Sequence, residues 1–205
     1  MKLYYFPLSP NARKVHAVAI HLELPLELQL VDLQQGKQRT PEFLELNPTG
    51  RIPVLQDGDF MLWESTAIMQ YLASQVPNTL WAEDGKIRAD IMRWQSWQLT
   101  HWSRGCQPLQ FERFVKHVLQ LGDPDPQVIQ QATQIFHQEA AVLNAHLAGH
   151  EYLVNNMLTL ADFSVASDLT YAAAAQIPLK DYPHIGNWYA RIEQLPAWEK
   201  TAPQV

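Results

Sequence analysis

The 205 residues carry 47% hydrophobic and 18% charged side chains with a net charge of -6, the profile of a folded chain and not of a disordered one. The acidic balance offers no footprint for nucleic acid, and no apolar run approaches the roughly 20 residues that span a bilayer. Met1-Lys2-Leu3 opens directly into strand-like sequence without a leader, so a cytoplasmic location is expected, and Cys106 as sole cysteine excludes an intrachain disulfide, a Cys-x-x-Cys pair and a cysteine-rich metal site.

Lys2 to Phe6 reads as a strand and Asn11 to Leu24 as a helix ending at Pro25, with Ala12, Val15, Ala19 and Leu22 along one face. Leu26, Leu28 and Leu30 alternate with Glu27 and Gln29, which predicts a second strand. Thr40-Pro41 starts a short helix. Val54-Leu55 and Phe60-Met61-Leu62 flank Asp57-Gly58 as a hairpin, and Ser65 to Ser74 forms a third helix. The order is βαβαββα over residues 1-76. A polar connector follows, and from 87 to 205 the period is helical. One long helix runs towards Pro108, a second spans Phe111 to Leu121, and a third is marked by Val128, Ala132, Ile135, Val142 and Leu147. Thr159-Leu160-Ala161-Asp162 resembles a capping box, with Leu158 and Phe163 as its staple. Asp162 is expected to be structural, its loss costing about 1 kcal/mol.

The richest stretch is Asn47-Pro48-Thr49-Gly50-Arg51-Ile52-Pro53-Val54-Leu55, followed by the hairpin and Glu64-Ser65. Proline is tolerated in such a run chiefly at a turn or edge. A cis Ile52-Pro53 bond would hold neighbouring backbone ready to pair with an extended peptide. Ser65, at a helix start, has a hydroxyl and free backbone donors for an anion. Glu64 can accept from an ammonium group. Ser9 and Asn11 stand where the first helix begins, each also suited to capping it. His146 and His150 lie one turn apart, but Gly149 interrupts them and no third ligand is evident, so no metal is expected.

In order and spacing these motifs resemble the soluble glutathione transferases along essentially the whole chain. The resemblance implies an α/β thioredoxin-like amino-terminal domain followed by an all-α carboxy-terminal bundle, in a cytoplasmic homodimer with a role in detoxification. Pro53 falls at the family's cis-proline, Glu64-Ser65 at its glutamyl-binding pair, and Tyr182-Pro183-His184-Ile185 through Arg191 at its carboxy-terminal pattern. Ser9 matches the thiol-activating serine of a bacterial or theta-like class. Ser9-Pro10-Asn11 also resembles the Thr-Pro-Asn segment of a bacterial branch that reduces disulfides, making Asn11 a second activator candidate. Tyr4 and Tyr5 are backups by analogy with tyrosine-based classes. The glutathione site is expected from Lys37, Gln38, Arg51, Ile52, Pro53, Val54, Glu64 and Ser65, with the Val54 backbone on the cysteinyl unit. An apolar electrophile site between the domains is expected from Leu8, Trp102, Cys106 and Phe111.

With no usable thiol of its own, the protein must borrow one. Free cysteine has a pKa near 8.5 and is only about 3% thiolate at neutral pH, so the site must stabilise an anion. The leading expectation is conjugation of glutathione, a co-substrate, to small hydrophobic electrophiles without a cofactor. A glutathione-dependent disulfide reductase or peroxidase and a non-catalytic glutathione-binding module are the alternatives.

Overall fold

A computed structural model describes residues 1-203. The chain forms two compact units, residues 1-81 with the segment from Gln194 onward, and Ala82–Glu193. The expected division, 1-76 and 87-205, therefore changes most at its end. The closing helical turn, Pro196–Glu199, packs on the first helix of unit one. There the Arg13 guanidinium lies 4.1 Å from the centre of the Trp198 ring, and its Nη2 donates to the Trp198 carbonyl at 3.1 Å. This cation-π contact is made by a buried arginine, where such contacts are strongest.

Unit one contains β1 (Lys2–Tyr5), α1 (Pro10–His21), β2 (Glu27–Leu30), a 3-10 turn at Lys37–Arg39, α2 (Pro41–Leu46), β3 (Val54–Asp57), β4 (Phe60–Trp63) and α3 (Ser65–Ser74). The βαβαββα order is as read from the sequence. The sheet runs β2-β1-β3-β4, with β1 parallel to β2 and both other pairs antiparallel. Alternation along the strands sends Leu3 and Leu55, adjacent in register and fully buried, to one face. Tyr4 and Val54 go to the other, where Phe43 and Val31 join them. The leucine alternation of β2 does mark a strand, but one at the sheet edge, so Leu28 and Leu30 stay 38% and 53% exposed.

Unit two contains α4 (Gly85–Trp97), α5 (Ser103–Gln110), α6 (Lys116–Leu119), α7 (Pro126–Leu147), α8 (Leu160–Ser167) and α9 (Pro183–Glu193). Asp84 caps α4, its carboxylate accepting from the Lys86 and Ile87 amides. The sequence suggests a break near Pro108. Instead the helix runs through it, with π turns at Gln98–Trp102 and Phe111–Val115 on either side. Burial of Trp102, Cys106 and Leu109 holds this irregular rod together and outweighs the proline's local penalty. Buried Asp168 fixes the first π turn by accepting from Gln98 Nε2 and Ser103 Oγ, both at 2.6 Å.

Gly105 is where α5 meets α7. A Cβ placed on it would lie 2.7 Å from both the N and Cα atoms of Phe136, and backbone cannot step aside as a side chain can. Gly105→Ala is therefore expected to cost about 1–3 kcal/mol. Thermal unfolding would register this as a fall of roughly 3–10 °C, and an unchanged midpoint would refute the close-packing argument.

Candidate active site

Ser9 ends the loop after β1 in extended backbone, with φ -84° and ψ 117°, and Pro10 opens α1 behind it. Its Oγ accepts from the Ala12 amide at 3.2 Å. A hydroxyl has one proton and two lone pairs, so capping uses a lone pair and leaves the proton to give. Among the described residues no group receives that proton. Capping and thiolate binding are thus compatible roles for one side chain.

Asn11, the second residue of α1, accepts at Oδ1 from Ser65 Oγ at 3.3 Å, across 54 residues of sequence. This bond draws the amino ends of α1 and α3 together. Both ends carry the positive pole of a helix, and the first amides of α3 receive no side-chain cap. Glu64, just before α3, adopts φ 73° and stays exposed. Its carboxylate pairs with no described cation, so it remains able to accept from an ammonium group.

The loop before β3 is built by Asn47, which is 2% exposed. Its Nδ2 donates to the Arg51 carbonyl at 2.7 Å, while Oδ1 accepts from the Thr49 amide and hydroxyl. Gly50 holds φ 62° where a Cβ would come 2.7 Å from Arg39 Nη1. Arg39 in turn reaches the Thr49 carbonyl at 3.4 Å. Ile52-Pro53 is cis. Val54 lies within the sheet, opposite Tyr4 on one side and Trp63 on the other, so its backbone is committed to the ladders. Ile52 precedes the strand, and among the described residues neither its N–H nor its C=O is hydrogen-bonded. The backbone left free for pairing is therefore that of Ile52 and not that of Val54. Pro53 is buried beneath it.

A profile for the glutathione S-transferase amino-terminal domain matches residues 8–75, and one for the carboxy-terminal domain matches residues 126–191. Glutathione S-transferase 3 of Zea mays is 34% identical over 216 residues, spanning 100% of this chain and 94% of its own length. The chain belongs to the glutathione S-transferase family. A transferase from Hyoscyamus muticus is 31% identical and spans 98% of this chain and 96% of its own. Glutathione transferase F7 of Populus trichocarpa superposes with a TM-score of 0.90 at 28% identity, covering 98% of this chain and 97% of its own. A glutathione S-transferase-I structure bound with lactoylglutathione also scores 0.90, at 26% identity, with coverage of 98% and 97%. These plant relatives are of the Phi type, so they do not support the expected bacterial, theta-like class.

Within the transferase, Lys37 and Arg51 are exposed, and neither pairs with a described carboxylate. Gln38 is half-buried and its Oε1 is shielded from solvent without a hydrogen-bond partner. Lys37 borders a cavity of about 370 Å³ lined also by Tyr4, Asp32, Glu42 and Phe43. Tyr4 donates its proton to Gln56 Oε1 at 2.9 Å, which weakens it as an activator. Tyr5 packs against the His16 ring. Leu8 is half-buried beside Ser9, and Phe111 is 44% exposed. Trp102 and Cys106 are each 0% exposed. Trp102 stacks on Trp97 and donates to the Val165 carbonyl at 3.2 Å. Burial, reinforced by the nearby Asp168 charge, pushes the Cys106 thiol well up. These two residues are core of the helical unit, and the structure leaves them no surface for a second substrate.

Sequence reasoning did not single out Asn47 or Arg39 as site residues. Asn-Pro-x-Gly is a turn signal that points to the first; nothing local points to the second. Among the described residues, no cluster of three or more His, Cys, Asp and Glu is arranged for a metal ion. His146 and His150 bond to the Leu153 and His146 carbonyls.

Proposed function

We propose that this transferase ionises the glutathione thiol with Ser9 and joins the sulfur to small hydrophobic electrophiles, acting without a cofactor as a cytoplasmic homodimer in detoxification. Glu64, Ser65 and the free amides at the start of α3 take the γ-glutamyl end. The Ile52 backbone pairs with the cysteinyl unit, while Lys37, Gln38 and Arg51 surround the glycine carboxylate. Leu8 offers apolar surface beside the sulfur. One observation carries this reading: Ser9, whose hydroxyl proton is uncommitted, caps α1, and the first turn of that helix is bonded through Asn11 to Ser65 at the start of α3.

A hydrogen bond to a charged sulfur is worth about 1.5–3 kcal/mol, and a helix amino end adds about 0.3–1 kcal/mol. At about 1.36 kcal/mol per pKa unit, together they lower the thiol by roughly two units. Thiolate then rises about 25-fold at neutral pH. The lower basicity gives back a factor of about 6–10 in nucleophilicity. Most of the acceleration must therefore come from holding sulfur against the electrophile. With an aryl halide, the S–C bond forms as halide leaves, and the thiol proton has already gone to solvent.

The purified protein is expected to bind glutathione by calorimetry and to conjugate aryl halides or isothiocyanates well above the spontaneous rate. Binding without turnover of these, or of hydroperoxides and mixed disulfides, would reduce it to a binding module. Rapid turnover of mixed disulfides alone would favour the reductase.

A further inference from the structure

Resting on the glutathione reading above, we propose that Asn11 is a positioning residue that sets the direction of the Ser65 hydroxyl, and does not itself hold the thiolate. The two side chains meet at 3.3 Å, and neither has another hydrogen bond to a described residue. In this arrangement the single proton of Ser65 is given to Asn11 Oδ1. Ser65 Oγ then has only lone pairs left for a ligand, although it sits at the start of a ten-residue helix whose free amides favour an anion. An incoming carboxylate needs that proton.

Turning the Asn11 carboxamide by 180° supplies it. Nδ2 then occupies the place of Oδ1 and donates to Ser65 Oγ, and the Ser65 proton swings out to the ligand. The exchange is inexpensive. It breaks one long neutral bond and makes another, and no third group restrains the amide. An aspartate at position 11 could not do this, because an ionised carboxylate only accepts. Asn11 thus contributes at the glutamyl end of the ligand, through Ser65, while Ser9 faces the sulfur.

The test uses glutathione and S-methylglutathione, which has no ionisable thiol, measured by calorimetry on Asn11→Ala, Asn11→Asp, Ser65→Ala and the Asn11→Ala/Ser65→Ala double variant. Asn11→Ala is expected to weaken both ligands by the same factor, about threefold to tenfold. Asn11→Asp is expected to weaken them further, by more than about tenfold. In the Ser65→Ala background the Asn11→Ala change should have no additional effect. The pKa of bound glutathione, read from thiolate absorbance, should be unchanged in Asn11→Ala. A raised thiol pKa with S-methylglutathione affinity intact would make Asn11 the direct thiolate donor and overturn the proposal. Additive losses in the double variant would do the same. A wild-type protein that binds neither ligand would instead defeat the glutathione reading on which the proposal stands.

Discussion

Asp162→Ala is expected to lower the thermal midpoint by about 10 °C, against the few degrees that loss of a simple helix cap would cost. The carboxylate is wholly buried and receives four donors: the Leu153 amide at 3.0 Å, the Thr159 amide at 2.8 Å, Thr159 Oγ1 at 3.1 Å and Trp188 Nε1 at 3.0 Å. It therefore ties the start of α8 to the preceding loop and to α9. Burial raises its pKa to about 6, and the four donors oppose that rise. Deleting the carboxylate removes a desolvation penalty but orphans every donor around it. A buried donor left unpaired costs about 1–3 kcal/mol, so with four of them the second effect dominates.

The pH dependence follows in sign. Unfolded Asp162 ionises near 3.8 and the folded residue near 6. Between those values the folded state holds one more proton. Raising the pH through this window thus costs stability, up to about 3 kcal/mol. Urea denaturation should show the stability difference, wild type minus Asp162→Asn, shrinking from pH 4 to pH 6. A flat difference would mean that the carboxylate ionises as freely inside the protein as outside.

Ser9→Ala is expected to reduce kcat/KM for conjugation by about 3-fold to 20-fold, a lost hydrogen bond to a charged group partly offset by the greater nucleophilicity of the more basic thiolate. The same change should cost about 0.5–2 kcal/mol of stability, because Ser9 also caps α1. Ser9→Gly separates the two roles. Glycine caps nearly as well as serine, within a few tenths of a kcal/mol, so stability should stay close to wild type while activity falls as in the alanine variant. Retained activity in Ser9→Gly would remove serine from the chemistry and leave it as a cap.

The fold was largely legible because its signals are local. The βαβαββα order is written in turns, prolines and alternating strands, and the helix start at Ser65 could be placed to the residue, while the hairpin read at Asp57-Gly58 turns one residue later, at Gly58-Asp59. Ser9 could be singled out from its place in a short motif. What the sequence could not give was distance. Asn11 and Ser65 have no local mark of being neighbours, so each was judged alone. Trp102 and Cys106 were misjudged because an aromatic or thiol on a helix looks the same whether it faces a pocket or a neighbouring helix. Pro108 signalled an end to the helix, but packing of the surrounding residues overrode it. Asp162 was recognised as a cap, while its bonds to Leu153 and Trp188 depend on chain segments that only the tertiary structure brings together.

The return of Trp198 to Arg13 makes unit one discontinuous. During synthesis, residues 1-81 emerge first but wait through the whole helical unit for the piece that finishes them. At about 5–20 residues per second, that delay lasts several seconds or longer. Throughout it, the flank of α1 that carries Arg13 lacks its indole cover, so unit one reaches its finished packing only after the whole of unit two has been made.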